Sequence, residues 1–495
     1  MGPARGGTVT ATTSATASGT RVYRLGEFHR FDSAGAHFLY LVPAGAIFAV
    51  DDAAGKLIDC LAAGELPHAR LIDDLAARGL TIGDAEELVA EMYHANVIVA
   101  DDSTPEQPQD LPDVFPIQTL VMNLTNQCNL SCQYCYEFGA DKVATPEGKP
   151  KFMDLETART SVDFLLAQSG DRRSIHITFF GGETLMNFPL LKEVVAYANE
   201  RVGEQGRHVD FSLTTNGTLL TPEIVEYLSE NRIGVTVSMD GPKEMHDHLR
   251  VFANGRGSYD IIEPKVRALI QNHRTRPITA RVTLTSGVSD VIRIFRHLKQ
   301  DLGFHEVGFA PVTTSPNQLY AIGQKGMDGV LEQFHELAGE YLEYALRGEA
   351  HGFSNVSDTL AELCQGVNKS HPCGAGLGLL GVGPSGDIAP CHRFVDSDVH
   401  AMGHISTGID RAKQADFLRR GHIDSKYDCH TCWARPLCAG GCHHEAYVRY
   451  GDTGHPNLHY CDWIRDWTNT CLEIYGAIAA RNPGFLQQFA ERKAE

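Results

Sequence analysis

The sequence predicts an α/β protein. A parallel sheet of six strand–helix repeats, open or rolled into a partial barrel, lies between a small N-terminal α+β domain and a cysteine-rich C-terminal region. Three observations carry this expectation. From residue 117 to about 348, short β-branched apolar runs alternate with helical patterns. A Pro- and acid-rich stretch, Asp101–Pro116, separates that region from a differently patterned N-terminal segment. Thirteen cysteines fall almost entirely in two places, around 128–135 and from 364 onward.

Residues 1–20 are rich in Ala, Thr, Ser and Gly and hold no apolar run; they are expected to form a disordered tail, not a secretory signal. Residues 21–105 read as a small domain. His37–Val42 and Ala46–Val50 are expected strands around Pro43-Ala44-Gly45, three short helices follow from near Ala53, and Val97–Val99 closes the unit. A linker over 106–116 leads to the repeats over 117–348. Their expected strands are Ile117–Leu124, Ile175–Phe180, Val209–Thr215, Ile233–Met239, Ile278–Thr285 and His305–Ala310. In such folds the chemistry sits at the carboxyl ends of the strands. Residues 349–495 are loop-rich, with six glycines over 374–386, and end in a helix over 463–480.

The chain is 43% hydrophobic and 21% charged, with a formal net charge of −19. That acidity argues against a nucleic-acid partner, which needs a basic surface. No apolar stretch approaches the roughly 18 residues that span a bilayer. Without a signal peptide a cytoplasmic location is expected, and there clustered cysteines bind metal more often than they form disulfides.

Cys128, Cys132 and Cys135 have the spacing C-x3-C-x2-C, just after the first repeat strand. Three thiolates on a short loop can hold three irons of a 4Fe–4S cubane and leave the fourth open. A zinc site lacking its fourth ligand is the alternative. Farther on come Cys373, Gly386 and Cys391, then Cys429-x2-Cys432-x5-Cys438-x3-Cys442, then Cys461. Taken alone, Cys429, Cys432, Cys438 and Cys442 could also form one tetrahedral zinc site. Cys60 and Cys471 sit in helical stretches and are expected to be buried apolar residues. His443 and His444 are read as surface or loop histidines. Gly376-x-Gly378-x-x-Gly381 satisfies a dinucleotide fingerprint, but Gly383-Pro384 interrupts the helix it requires.

The first cysteine set resembles the radical S-adenosylmethionine (SAM) superfamily, and further pieces of its pattern follow at successive strand ends. The resemblance implies a partial (β/α)6 barrel. It places Tyr134 beside the adenine and Gly181-Gly182-Glu183 at the SAM amino group. Thr214 and Asn216 end the third strand, Ser238 and Asp240 the fourth, and Arg250 and Arg281 are candidates for the SAM carboxylate. The implied chemistry is reductive cleavage of SAM to a 5′-deoxyadenosyl radical, which takes hydrogen from an unactivated carbon.

The C-terminal set resembles the seven-cysteine SPASM extension of radical SAM peptide maturases, which holds two auxiliary clusters. By match of position Cys373, Cys391 and Cys442 serve the first, and Cys429, Cys432, Cys438 and Cys461 the second; Cys364 is the candidate for a further ligand. The implied cofactors are three 4Fe–4S clusters and SAM. The N-terminal unit resembles the winged-helix-like peptide-recognition domain of ribosomal-peptide maturases, which pairs a leader peptide along a strand edge.

Across most of its length the chain is similar to the maturation enzymes of quinohemoprotein amine dehydrogenase, on Cys128–Lys142 and the domain order. That family joins Cys sulfur to the side-chain methylene of Asp or Glu in the dehydrogenase small subunit. The resemblance implies a leader-bearing substrate and a low-potential donor such as flavodoxin or ferredoxin. Two alternatives stand beside it. One is another SPASM maturase, forming α-carbon thioethers or formylglycine. The formylglycine formers carry Asp directly after the cysteine matching Cys391; here that residue is His392, so the general base is unassigned. The other is a zinc-stabilised adaptor without catalysis.

Overall fold

The structure is a computed structural model that describes residues 21–100, 115–145 and 147–490. The expected tail over 1–20 and most of the 106–116 linker lie outside the described residues. The chain divides into two compact units, Met1–Gln109 and Asp110–Glu495.

In the first unit β1 (Val22–Leu25) pairs antiparallel with β5 (Leu66–Pro67) and β6 (Ile98–Ala100). A meander of β2 (Phe28–Ser33), β3 (Ala36–Leu41) and β4 (Ala46–Val50) has β3 at its centre. Helices α1 (Asp52–Leu61), α2 (His68–Ala77) and α3 (Ile82–His94) complete it. The sequence reading missed β1 and β2. The β2–β3 turn is Ala34-Gly35, both with positive φ (52° and 79°), the backbone of a two-residue hairpin without the usual Asn-Gly or Asp-Gly signal. Asp51 caps α1 by accepting from the Ala54 N–H at 2.8 Å, and Thr81 caps α3 by accepting from that of Asp84 at 3.2 Å. Leu57, Ile58, Leu71, Leu75, Val89 and Ile98 form the core, and Cys60 is buried among them as expected.

The second unit is built on β7 (Thr119–Asn123), β8 (Ser174–Phe180), β9 (His208–Thr215), β10 (Gly234–Ser238), β11 (Ile278–Leu284) and β12 (Glu306–Pro311). All six neighbour one another in chain order and run parallel. They match the six strands expected from the sequence. Between them lie α4 (Leu155–Gln168), α5 (Phe188–Gly203), α6 (Pro222–Glu230), α7 (Lys243–Leu249), α8 (Tyr259–Asn272) and α9 (Val291–Arg296). Alternation sorts the strand side chains. Ile175, Ile177, Phe179, Phe211, Val235, Val237 and Val282 are buried. The intervening residues form a polar inner wall, where His176 Nε2 lies 2.8 Å from Ser212 Oγ and Thr236 Oγ1 3.1 Å from Thr279 Oγ1.

After β12 come α10 (Gln324–Arg347) and α11 (Ser354–Cys364). Gly348, with φ +77°, terminates α10 in a left-handed cap. The glycine-rich segment, expected as loop, contains β13 (Leu379–Val382). It pairs parallel with β7 and continues the sheet, with β14 (Ile388–Ala389) at its edge. The cysteine-rich region therefore extends the sheet of the repeats. It continues through α12 (Arg411–Gly421), α13 (Arg435–Cys438) and α14 (His443–Tyr450) to α15 (Cys461–Arg481). Cys471 is fully buried in α15, as expected. An aromatic knot fixes α15 to the repeats. Phe334 of α10 meets Phe353, Trp463 and Trp467 at centroid distances of 5.2, 5.3 and 5.2 Å, and Phe309 of β12 at 6.0 Å. No helix among the described residues is long and apolar enough to cross a membrane.

Because Phe334 is buried at the centre of that knot, Phe334→Ala is expected to destabilise the second unit by about 3–5 kcal/mol. A lowered urea midpoint with an unchanged m-value reads this out.

Candidate active site at the strand ends

The loop bearing the first three cysteines leaves β7 and is strapped to the end of β8 by backbone alone. The Thr125 and Gln127 carbonyls accept from the Gly182 and Glu183 N–H groups at 3.1 and 2.9 Å. A Cβ on Gly181, whose φ is +132°, would stand 2.2 Å from the Thr125 oxygen, and one on Gly182 2.3 Å from that of Gln127. Both glycines are thus required by close approach. The Glu183 carboxylate turns inward, accepting from Thr215 Oγ1 and the Asn216 N–H, each at 2.7 Å, and from the Leu185 N–H at 3.1 Å. It ties the ends of β8 and β9 together. What this motif offers a ligand is its backbone.

Cys128, Cys132 and Cys135 form one group. Burial pushes the Cys128 thiol up to about 12 and that of Cys135 to about 11, with the neighbouring cysteines of the group adding to both shifts. Burial likewise raises Cys132, and Arg250 opposes it. Three such thiols become thiolates readily only against a strong positive charge, which suits the donor set to a metal centre. Cys128 Sγ accepts from the Leu130 N–H at 3.4 Å and from Asn216 Nδ2 at 3.7 Å.

Asp240, 1% exposed at the end of β10, organises the adjoining wall. Its Oδ2 accepts from the Tyr134 hydroxyl and from Arg250 Nε at 2.9 Å, and its Oδ1 from the Thr283 N–H at 2.9 Å. Arg250 lies over the Tyr134 ring, 5.6 Å from its centroid, and Nη1 reaches within 4.0 Å of Cys132 Sγ. Burial opposes the Arg250 charge, but Tyr134, Asp240 and Cys132 outweigh it and hold its pKa well above the usual arginine value. The structure thus brings Tyr134, Asp240, Arg250 and Cys132 together. Thr214 and Ser238 are half-buried on the strand faces that alternate with the core. Arg281 on that face of β11 is deep yet accessible, and the Asp358 carboxylate is near enough to favour its charge. Burial lowers its pKa and the nearby Arg393 lowers it further.

Beyond β12, Asp141 latches the cluster loop to the following segment. Its carboxylate accepts from the Thr314 hydroxyl, from the Ser315 N–H at 3.0 Å and from Ser315 Oγ at 2.7 Å.

The C-terminal cysteines fall into two groups. The Cys391 thiol, pushed up to about 12 by burial, is raised further by Cys442 and Cys373. Cys429, pushed up to about 11 by burial, is raised further by Cys438, Cys432 and Cys461. Cys429, Cys432, Cys438 and Cys461 line a cavity of about 290 Å3, which Cys442 also borders. Cys364, at the end of α11, joins neither group. Burial alone raises its thiol, to about 11, and its electrostatic influence falls on Tyr341 and Tyr475. Among the described residues no set of three His, Cys, Asp or Glu is gathered tightly enough for a single metal ion.

His443 and His444 require a correction. Both are buried, at 2% and 1% exposure, at the start of α14. His392 lies tilted against Phe180 with ring centroids 4.5 Å apart and meets Tyr136 edge-on at 5.9 Å. The sequence reading also missed Asp396. It has φ +63°, and its carbonyl accepts from the Thr145 N–H at 2.8 Å and from Lys149 Nζ at 3.0 Å, while Oδ2 accepts from Asn126 Nδ2 at 3.3 Å. No local signal marks it, because its partners lie some 250 residues upstream.

Residues 122–310 match the Radical SAM superfamily. An uncharacterized protein of Methanocaldococcus jannaschii is 36% identical over 139 residues, 28% of this chain and 44% of that one, so the chain spans less than half of that relative. The serine-type anaerobic sulfatase-maturating enzyme of Bacteroides thetaiotaomicron is 26% identical over 373 residues, 70% of this chain and 87% of that enzyme. In solved structures the fold resembles native anSMEcpe with bound AdoMet and the Cp18Cys peptide. The TM-score is 0.61 at 20% identity, covering 76% of this chain and 99% of that one. With its cysteine loop, glycine strap and polar strand ends inside the matched segment, this chain is a radical SAM enzyme related to the anaerobic sulfatase-maturating enzymes.

Proposed function

We propose that this enzyme matures a ribosomally made peptide by closing thioether bonds between Cys sulfur and the side-chain methylene of Asp or Glu, with the small subunit of quinohemoprotein amine dehydrogenase as substrate. The observation that carries the reading is the separation of seven SPASM cysteines into two groups within the unit that bears the SAM-cluster loop. A thioether closed through a carbon radical leaves one electron to discard. Two auxiliary 4Fe–4S clusters, held by Cys373, Cys391 and Cys442 and by Cys429, Cys432, Cys438 and Cys461, would accept it and pass it to a flavodoxin- or ferredoxin-like protein. The second set borders a cavity of about 290 Å3 shared with Leu437, Asn457, Tyr460 and Ile464, which leaves room for a group larger than a single ion.

The reduced SAM-binding cluster and SAM, when bound, supply the hydrogen-abstracting chemistry. The chain's own residues do the rest. Cys128, Cys132 and Cys135 would hold the cluster, and the Gly181–Glu183 backbone at the end of β8 would offer its polar groups to the SAM amino group. Asp240 fixes Tyr134 and Arg250 as a wall beside it. Arg281 and Arg393 provide positive charge suited to a carboxylate, either of SAM or of the substrate Asp or Glu. The N-terminal unit, whose β2 and β4 outer edges pair with no other strand among the described residues, suits leader-peptide pairing. The resemblance to a serine-type sulfatase-maturating enzyme keeps formylglycine formation as the second reading, and His392 in the place of its Asp argues against it.

Co-expression with the dehydrogenase small subunit tests the substrate. Intact mass is expected to fall by two hydrogens per link, and an unchanged mass removes that substrate. Cys128→Ala is expected to abolish 5′-deoxyadenosine release; release at the wild-type rate refutes the site. Asp240→Asn leaves Arg250 buried without its partner, a loss of about 3–5 kcal/mol. SAM cleavage is expected to fall with it, followed by chromatography of 5′-deoxyadenosine. Removing residues 1–105 is expected to spare SAM cleavage and cut modification of the leader-bearing substrate roughly tenfold or more, scored by the fraction of substrate that loses mass.

A further inference from the structure

Lys426 stands three residues before Cys429 and is 2% exposed. Its carbonyl accepts from the Cys429 N–H at 2.9 Å. The side chain runs under the loop that joins Cys438 to Cys442, residues of different groups, and Nζ donates to the Ala439 carbonyl at 2.8 Å. That loop is wound tightly, with positive φ at Ala439, Gly440 and Gly441 (46°, 83° and 83°). A Cβ on Gly440 would stand 2.6 Å from Lys426 Cδ and 2.8 Å from Nζ. Both the left-handed backbone at 440 and the lysine packed against it favour glycine there.

A buried ammonium is costly unless an opposite charge faces it. No carboxylate pairs with Lys426 among the described residues. Burial lowers its pKa, and the charges that oppose this are Cys429 and Cys438 from one group and Cys373 and Cys442 from the other. The loop it runs under carries one cysteine of each group at its two ends, Cys438 and Cys442, so the ammonium stands beside both sets. Cubanes held by three or four thiolates are anionic, and each becomes more so on gaining an electron. A fixed positive charge between two of them favours their reduced forms, since cluster potential follows net charge and hydrogen bonding.

We infer that Lys426 is a positioning residue shared by the two auxiliary clusters, an electrostatic strut that eases one-electron reduction of both and reduces their mutual repulsion while the electron passes between them. This rests on the auxiliary-cluster reading above.

The test is an EPR-monitored redox titration of the reconstituted full chain, with iron and sulfide counted, for wild type, Lys426→Met, Lys426→Gln and Lys426→Arg. Both neutral variants are expected to shift the auxiliary midpoint potentials downward, leave that of the SAM-binding cluster in place, and keep their iron; Lys426→Arg is expected to stay near wild type. Unmoved auxiliary potentials in fully loaded Met and Gln variants overturn the inference. If the neutral variants lose the auxiliary clusters while Lys426→Arg keeps them, the charge acts already at assembly, which supports it. If Lys426→Arg loses them as well, the residue only packs and the inference falls. A wild-type chain holding a single cluster's worth of iron fails the auxiliary-cluster reading itself.

Discussion

Everything at the strand ends depends on backbone meeting backbone where β7 and β8 finish. The carbonyls of Thr125 and Gln127 and the N–H groups of Gly182 and Glu183 hold the cysteine loop at a fixed height above the sheet. Any side chain at 181 or 182 would drive them apart. The loop has no helix or strand of its own to stiffen it, so its sulfurs are positioned by these two hydrogen bonds together with those from the Ser131 and Gln133 N–H groups to the Val251 and Leu249 carbonyls. The Glu183 carboxylate adds the neighbouring strand to the same anchorage. A motif that reads as a ligand contact is, in its side chain, a brace.

A second theme is the use of buried charge. Asp240 with Arg250 satisfies itself within the protein and shapes a wall. Lys426 has no carboxylate partner among the described residues, and the groups that favour its charge are the cysteines Cys429, Cys438, Cys373 and Cys442. These are different solutions to one problem, the cost of removing an ion from water. The first is complete in the polypeptide. The second draws on cysteines of both C-terminal groups.

The parts of this protein that were legible in the sequence are those with a short-range code. Six strands announced themselves by β-branched runs, and the cysteine groups by spacing and by resemblance to known motifs. The burial of Cys60 and Cys471 followed from their helical settings. What escaped has long-range causes. β13 lies in a glycine-rich stretch and is a strand only because β7 offers an edge. The hairpin at Ala34-Gly35 lacks the polar turn residues that betray such turns. His443 and His444 follow a cysteine and look exposed on paper, yet packing of α14 buries them. Asp396 and Lys426 are ordinary residues until the chain folds back on them.

The pairing of β7 with β13 also bears on biosynthesis. The strand that launches the SAM-cluster loop takes one neighbour from close by in the chain and the other from a segment some 260 residues later. A nascent chain can hold the six repeats outside the ribosome with that edge of the sheet still unpaired. Such late, non-local pairing is slow and leaves an adhesive strand edge exposed meanwhile. The edge of β7 is thus satisfied only once residues 379–382 have been made.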